Sequence, residues 1–288
     1  MRIIVIGGTH FIGPHVVRLL AKHEVVVLHR GRDCADTSHI HTDRTRLPAD
    51  LHGDVVIDMW CMTEEHAKTL VDHLGDERLV VMSSGDVYRN YDGLRGRYSG
   101  APDPIPLRED APLRETRYPY RGSRHAAGTE DFFNDYDKIL VEEIVRGPRT
   151  TILRLPAVYG PNDAQHRFAE WLQPGAKIDA KQAAWRWTRG YVENVADAIV
   201  LAALSDRAAG RTFNVGEADA PTEQEWASMV AGRRLSEQTG LSVLHFEYHL
   251  VTDTAAIRRE LGYAERIARP DAIAATVSWE RSHSTTTA

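Results

Sequence analysis

The chain has 288 residues, with 35 Lys+Arg against 41 Asp+Glu, a formal net charge of -6 and 42% hydrophobic residues. This composition excludes collagen-like, disordered and disulfide-scaffold classes, and the length allows one large domain or two smaller ones, each able to bury a core. Both signs of charge are mixed along the chain, so no basic stripe tracks a phosphate backbone and nucleic acid is not an expected partner. Ile3 to Ile6 is β-branched and stops at glycine, which predicts a strand buried on both faces. Phe11, Ile12, Val16, Val17, Leu19 and Leu20 supply a helical apolar face, and Glu24 to His29 reads as a second buried strand. The strand signal repeats at Asp54 to Asp58 and Arg78 to Met82, around a helix that Thr63 caps with Glu64 and Glu65 in its first turn. Such alternation predicts an α/β fold: a doubly wound, Rossmann-type parallel sheet with helices on both faces.

From Arg89 to Gly128 the pattern gives way to Pro, Gly, Arg and Tyr, with five of the 13 prolines between Pro102 and Pro119. We read a long, mostly irregular insertion, lying between Ser84 and Lys138 in the chain, as a lid over the cleft. A helix capped by Thr129 is predicted through about Arg146, then a strand at Thr150 to Leu155, a helix over Asn194 to Leu204 and a strand at Arg211 to Val215. The capping box Thr222-Glu223-Gln224-Glu225 opens another helix, two helical stretches follow, and Ser282 to Ala288 reads as a frayed tail. Cys34 and Cys61 lack CxxC spacing, and the first apolar run is too short for a signal peptide, so a reducing, cytoplasmic setting is expected. No apolar run approaches the ~20 residues of a membrane span.

Gly7-Gly8-Thr9-His10-Phe11-Ile12-Gly13 lies between strand and helix, where a tight turn presents backbone N–H groups to a pyrophosphate. After the second strand stands His29-Arg30-Gly31-Arg32, where an acid would select NAD. Two guanidinium groups there suit a 2′-phosphate and favour NADP, with NAD possible, although they also fit an ordinary solvated loop. Asp43 is a candidate partner for the adenine amino group. His39 and His41 form a lone HxH with no obvious third ligand, and no metal site is expected.

The sequence resembles the extended (or atypical) short-chain dehydrogenase/reductase superfamily, the NAD(P)-dependent epimerase/dehydratase family. Its marks are the Gly7–Gly13 loop, Ser83-Ser84-Gly85-Asp86-Val87-Tyr88, Lys138-Ile139-Leu140-Val141-Glu142, and Leu153-Arg154-Leu155-Pro156-Ala157-Val158-Tyr159-Gly160-Pro161. Further along come Arg189-Gly190-Tyr191-Val192-Glu193-Asn194-Val195-Ala196 and Phe213-Asn214-Val215-Gly216; Glu260-Leu261-Gly262-Tyr263 and Trp279 look like the family's C-terminal region. The resemblance implies a dinucleotide-binding domain of residues 1–155 plus 191–215 and a smaller substrate domain of 156–190 plus 216–288. It implies a nucleotide-sugar or related hydroxy or keto substrate. Ser84 would hydrogen-bond the reacting oxygen, Lys138 would bind the nicotinamide ribose, and Pro156, Ala157 and Val158 would lie beside the nicotinamide. Tyr88, Arg189 and Tyr191 are candidate substrate contacts.

One departure from the family pattern concerns the catalytic Tyr, which belongs four residues before the Lys, where Asn134 stands. An amide can orient a carbonyl but cannot exchange a proton as a phenol does. Tyr136 is ~200° from Lys138 around a regular helix and fits only if the helix starts later. Asp86, Tyr88, Tyr118 and Tyr120 are other candidate proton donors. The middle glycine of the loop is replaced by His10, which crowds the pyrophosphate or adds a contact to it. Two function classes follow: an NADP(H)-dependent enzyme acting on a sugar-like alcohol or ketone by reduction, epimerisation or dehydration, or a nucleotide-binding sensor, scaffold or RNA-associated protein that lacks hydride chemistry. The expected partner is a small molecule and not a membrane, and a homodimer is compatible with the sequence.

Overall fold

The computed structural model describes residues 1–31, 37–122, 131–240 and 242–283. In chain order come β1 (Arg2–Ile6), α1 (Ile12–Leu19), β2 (Glu24–His29), β3 (Ser38–His41), β4 (Val55–Asp58), α2 (Glu64–His73), β5 (Arg78–Ser84), α3 (Arg89–Leu94), α4 (Lys138–Val145) and β6 (Thr150–Leu155). They are followed by β7 (Ala157–Tyr159), β8 (Lys177–Asp179), β9 (Arg189–Tyr191), α5 (Val192–Leu204), β10 (Thr212–Asn214), α6 (Glu223–Ala231), β11 (Ser236–Gln238), α7 (Ala255–Leu261) and α8 (Arg269–His283). Seven strands form one parallel sheet in the order β10-β6-β5-β4-β1-β2-β3, so the expected doubly wound α/β fold is present. The strand order reverses between β1 and β4, which opens a crevice at their carboxyl ends.

Strand periodicity divides the core between the two faces of the sheet. Ile3, Val5, Val27, Ile57, Val80 and Met82 join α1 and α5 in one cluster that runs on to Trp226, Ile257 and Val277. Ile4, Ile6, Val26, Leu28, Val56 and Val81 pack with Ala67 and Leu70 of α2 and Val141 and Val145 of α4 in the other. No helix of the described residues is long and apolar enough to cross a membrane.

Three expectations need correction. The edge strand β3 was not expected, because Ser38-His39-Ile40-His41 has a single apolar residue; pairing with β2 along the whole segment forms it. Helix α4 begins at Lys138, where the side chain of Asp137 caps it by accepting from Ile139 N–H, and Thr129 lies outside the described residues. The insertion is fastened rather than loose: it contains α3, and Leu107 bridges to Thr252 and Leu113 to Tyr88. Asn90 donates to the carbonyls of Asp103 and His249. These contacts tie residues 89–122 to the segment around Thr252 and to the end of β5, and a lid motion of the insertion would have to break them.

Candidate active site

The loop after β1 has the geometry that phosphate binding needs. Gly7 sits at φ 83°, and its N–H donates to the Leu28 carbonyl. A Cβ on Gly13 would lie 2.5 Å from the backbone O of Gly8, so the start of α1 presses directly on the loop. No side chain caps α1 and no acid occupies its first turn, which leaves its positive end to an anion. Phe11 and Ile12 turn into the helix start and pack against the core, and His10 accepts or donates at Thr9 Oγ1 over 3.0 Å. The ring of His10 reaches toward Gly31, whose Cβ would stand 3.3 Å from it, so it spans the gap between the loop and the end of β2. We expect Gly13→Ala to weaken dinucleotide binding at least about tenfold, because the clash is with backbone and cannot relax by a rotamer change; an unchanged affinity in equilibrium titration would count against this role of the loop.

At the end of β2, His29 is buried with neither ring nitrogen hydrogen-bonded, and the rings of His39 and His41 lie 5.2 and 5.7 Å from it. Arg30 Nη1 is 3.5 Å from Asp43, so two candidate cofactor contacts pair with each other. Asp43 is held below the usual carboxylate range by hydrogen bonds from Thr45. Arg32 lies outside the described residues.

The chemical centre forms where β4, β5 and the start of α4 converge. Lys138 Nζ donates to the carbonyls of Cys61 at 2.6 Å and Met82 at 2.9 Å, leaving one ammonium donor for a ligand. The residues before α4 run extended: Asp137 N–H donates to Met62 O, and Tyr136 bridges to Thr63. In an extended segment residues two apart share a side, so Tyr136 and Lys138 stand together without the helical four-residue spacing. The Lys138 ammonium is 5.7 Å from the Tyr136 ring centroid. Tyr136 OH donates to Asp86 Oδ2 at 3.0 Å, Tyr120 OH donates to the same oxygen at 2.9 Å, and Tyr91 OH donates to Tyr120 at 3.0 Å. Ser84, at the end of β5, accepts from Asp86 N–H, and its hydroxyl is close enough to favour ionisation of the Tyr136 phenol. Leu155 pairs with Ser84, so Pro156, Ala157 and Val158 leave the sheet beside it.

Burial dominates the proton affinities here. It holds the Tyr136 and Tyr120 phenols well above their ordinary value, with the Asp86 charge adding to the effect. It raises Asp86, against the pull of Arg114 and the two phenols, and lowers Lys138. The Cys61 thiol is pushed up to about 12 by burial, which makes it inert rather than nucleophilic.

Other expected residues lie elsewhere. Asn134 is exposed, and its side chain accepts from Gly122 N–H. Tyr88 is fully buried, donating to Asn214 at 2.6 Å and accepting from Arg154 at 3.0 Å, so it belongs to the scaffold and not to substrate. Arg189 is buried among Phe168, Trp171, Trp187 and Trp226 and is paired with Glu223 at 2.5 Å, which withdraws it from substrate. Tyr191 is buried against Tyr159. Sequence patterning missed the Arg44–Asp58 pair, bidentate at 2.8 and 2.7 Å beneath the carboxyl end of β4, and the Arg114–Asp137 pair at 2.6 Å. Each pair joins segments distant in sequence, and no local pattern announces it.

No protein-family model matches the sequence, and no curated protein matches it. Among solved structures, the chain is similar to the NAD-dependent NDP-hexosamine 5,6-dehydratase TunA, with 20% identity, TM-score 0.72 and 98% of each chain covered. It is similar to a short-chain dehydrogenase/reductase superfamily protein from Agrobacterium tumefaciens with bound NAD, with 17% identity, TM-score 0.72 and 98% of each chain covered. It is also similar to UDP-glucose 4-epimerase from Thermotoga maritima with UDP-glucose, with 16% identity, TM-score 0.71, and 98% of this chain and 99% of that chain covered. The chain therefore shares its fold with these proteins, among them an NDP-hexosamine 5,6-dehydratase and a UDP-glucose 4-epimerase.

Proposed function

We propose that the protein is a nicotinamide-dinucleotide-dependent enzyme that acts at a carbinol or carbonyl carbon of a nucleotide-sugar or related hydroxy or keto compound. The observation that carries this reading is the cluster of Ser84, Tyr136, Asp86 and Lys138 at the end of β5, on the same parallel sheet as the Gly7–Gly13 loop that follows β1, with β4 between them. The dinucleotide would supply hydride acceptance or donation at the reacting carbon. Gly7 to Gly13 would hold its pyrophosphate, and Lys138 would use its third donor on the nicotinamide ribose. Pro156, Ala157 and Val158 would exclude water from the nicotinamide side. Tyr136 would exchange the proton with the substrate oxygen, Ser84 would orient that oxygen, and Asp86 would aim the phenol. Segments 156–190 and 216–288 would supply the substrate side of the cleft. Support for the class of chemistry comes from the shared fold of the dehydratase and the epimerase described above. Asn134 favours a catalytically silent binding protein, and the buried Tyr136 phenol beside Lys138 supports the enzyme reading against it. The test is a screen of NDP-sugars and keto sugars for change in nicotinamide absorbance with purified protein; dinucleotide binding without turnover of any of them would return the reading to a binding protein.

For the cofactor we propose NADP through Arg30, with Arg32 as its neighbour in sequence. Arg30 is largely exposed and lies beside Asp43, so solvent screening limits its contribution. We expect Arg30→Glu to weaken NADPH about tenfold and NADH little. Equal wild-type affinities for the two dinucleotides, measured by fluorescence titration, would sink the preference.

A further inference from the structure

Arg167 lies in the loop between β7 and β8, directly after His166, which takes a left-handed backbone at φ 47°. Its Nε donates to the Val158 carbonyl at 2.8 Å, and its guanidinium stands 5.7 Å from the centroid of the Trp187 ring. Its one carboxylate neighbour, Asp163, approaches that same Nε at 3.4 Å. The two terminal nitrogens, with four N–H donors between them, have no hydrogen-bond partner among the described residues, although the side chain is only 19% exposed.

The charge of this guanidinium is under-compensated. Burial pulls its proton affinity below the ordinary arginine value, Asp163 offsets this in part, and Arg189 adds to the deficit. Three buried arginines behave oppositely: Arg44, Arg114 and Arg154 each hold a bonded carboxylate and are raised. The position is also tied to the chemistry by geometry: Val158, whose carbonyl Arg167 holds, lies three residues beyond Leu155, which pairs with Ser84.

We propose that Arg167 recognises an anionic group, a carboxylate or a phosphate, on the substrate, with Trp187 as the flat wall beside it. The proposal rests on the substrate reading above and narrows it: the compound turned over carries a negative charge near its reacting carbon. A guanidinium with free, coplanar donors binds such groups in two-pronged fashion, and Asp163 competes only for the inner edge.

The test is titration of glucose, glucuronate and glucose 1-phosphate into the purified protein, with and without dinucleotide, followed by ligand-observed NMR. At least one of the two anions is expected to bind about tenfold more tightly than glucose, in keeping with a charge-assisted hydrogen bond. The tighter of the two identifies carboxylate or phosphate as the source. Arg167→Gln should abolish the preference and Arg167→Lys should retain part of it. Asp163→Asn, which removes the competing carboxylate, should strengthen anion binding, and this increase stands as evidence even if Arg167→Gln fails to fold. No anion preference in the wild type, a preference that survives in Arg167→Gln, or weaker anion binding in Asp163→Asn each overturns the proposal. Failure of dinucleotide to bind would instead count against the enzyme reading, since the anion titrations are read without it as well.

Discussion

Tyr136→Phe is expected to lower single-turnover nicotinamide oxidation by roughly 10²–10⁴-fold while dinucleotide affinity stays unchanged, because the substitution removes the phenolic hydroxyl and little volume. The phenol stands beside both Lys138 and Ser84. Tyr120 reaches the same Asp86 oxygen from the insertion, so Tyr120→Phe should disturb the aim of Tyr136 and cost less. Sign follows from environment. Burial and the Asp86 charge hold the Tyr136 phenol protonated, so carbonyl reduction needs no ionisation and its rate stays level through neutral pH. The reverse direction needs the phenolate, and its rate rises with pH. A Tyr136→Phe variant within threefold of wild type would falsify the assignment, that interval lying well inside the expected loss.

The central sheet was legible because both of its faces are buried, which leaves unbroken apolar runs rich in β-branched residues at Ile3–Ile6, Val25–Leu28 and Leu79–Met82. The glycine loop was legible for a related reason: a positive φ at Gly7 and backbone contact at Gly13 admit no other residue. Strand β3 was not, since it sits at the sheet edge with exposed histidines and owes its form to pairing alone. The catalytic spacing was half legible. Helical periodicity placed Asn134 on the same face as Lys138, and only the extended backbone set by Met62 and Thr63 brings Tyr136 to that side. Arg189 illustrates the opposite error. Its motif suggested a substrate contact, but four aromatic rings and Glu223 enclose it, whereas Arg167, without a motif of its own, keeps its two terminal nitrogens free.

Asp137→Ala is expected to produce the largest loss of stability of any single substitution at the site, about 3–5 kcal/mol, because it leaves the buried Arg114 guanidinium without its counter-charge. Asp137 and Arg114 are both inaccessible to solvent at their side chains, and they meet at 2.6 Å. The same carboxylate accepts from Tyr118 N–H at 2.8 Å and from Ile139 N–H at 3.0 Å, so one side chain caps α4 and fastens the insertion to it. Arg114 carries the tie onward by donating from Nε to the Asp86 carbonyl at 3.1 Å and from Nη1 to the Thr116 carbonyl. The two N–H groups use different oxygens of Asp137, so Asp137→Asn keeps an acceptor for only one of them and discards the charge; it should recover only part of what Ala loses. Combining Asp137→Asn with Arg114→Met removes both charges and should recover part of the loss, since no unpaired ion then remains buried. Denaturant midpoints measure all three, and a loss under 1 kcal/mol for Asp137→Ala would show that the pair does not hold the site together. Because Asp137 lies between Tyr136 and Lys138 in the chain, activity per folded molecule should also fall in these variants: the fastening that stabilises the start of α4 is what fixes the phenol and the ammonium on one side of an extended segment.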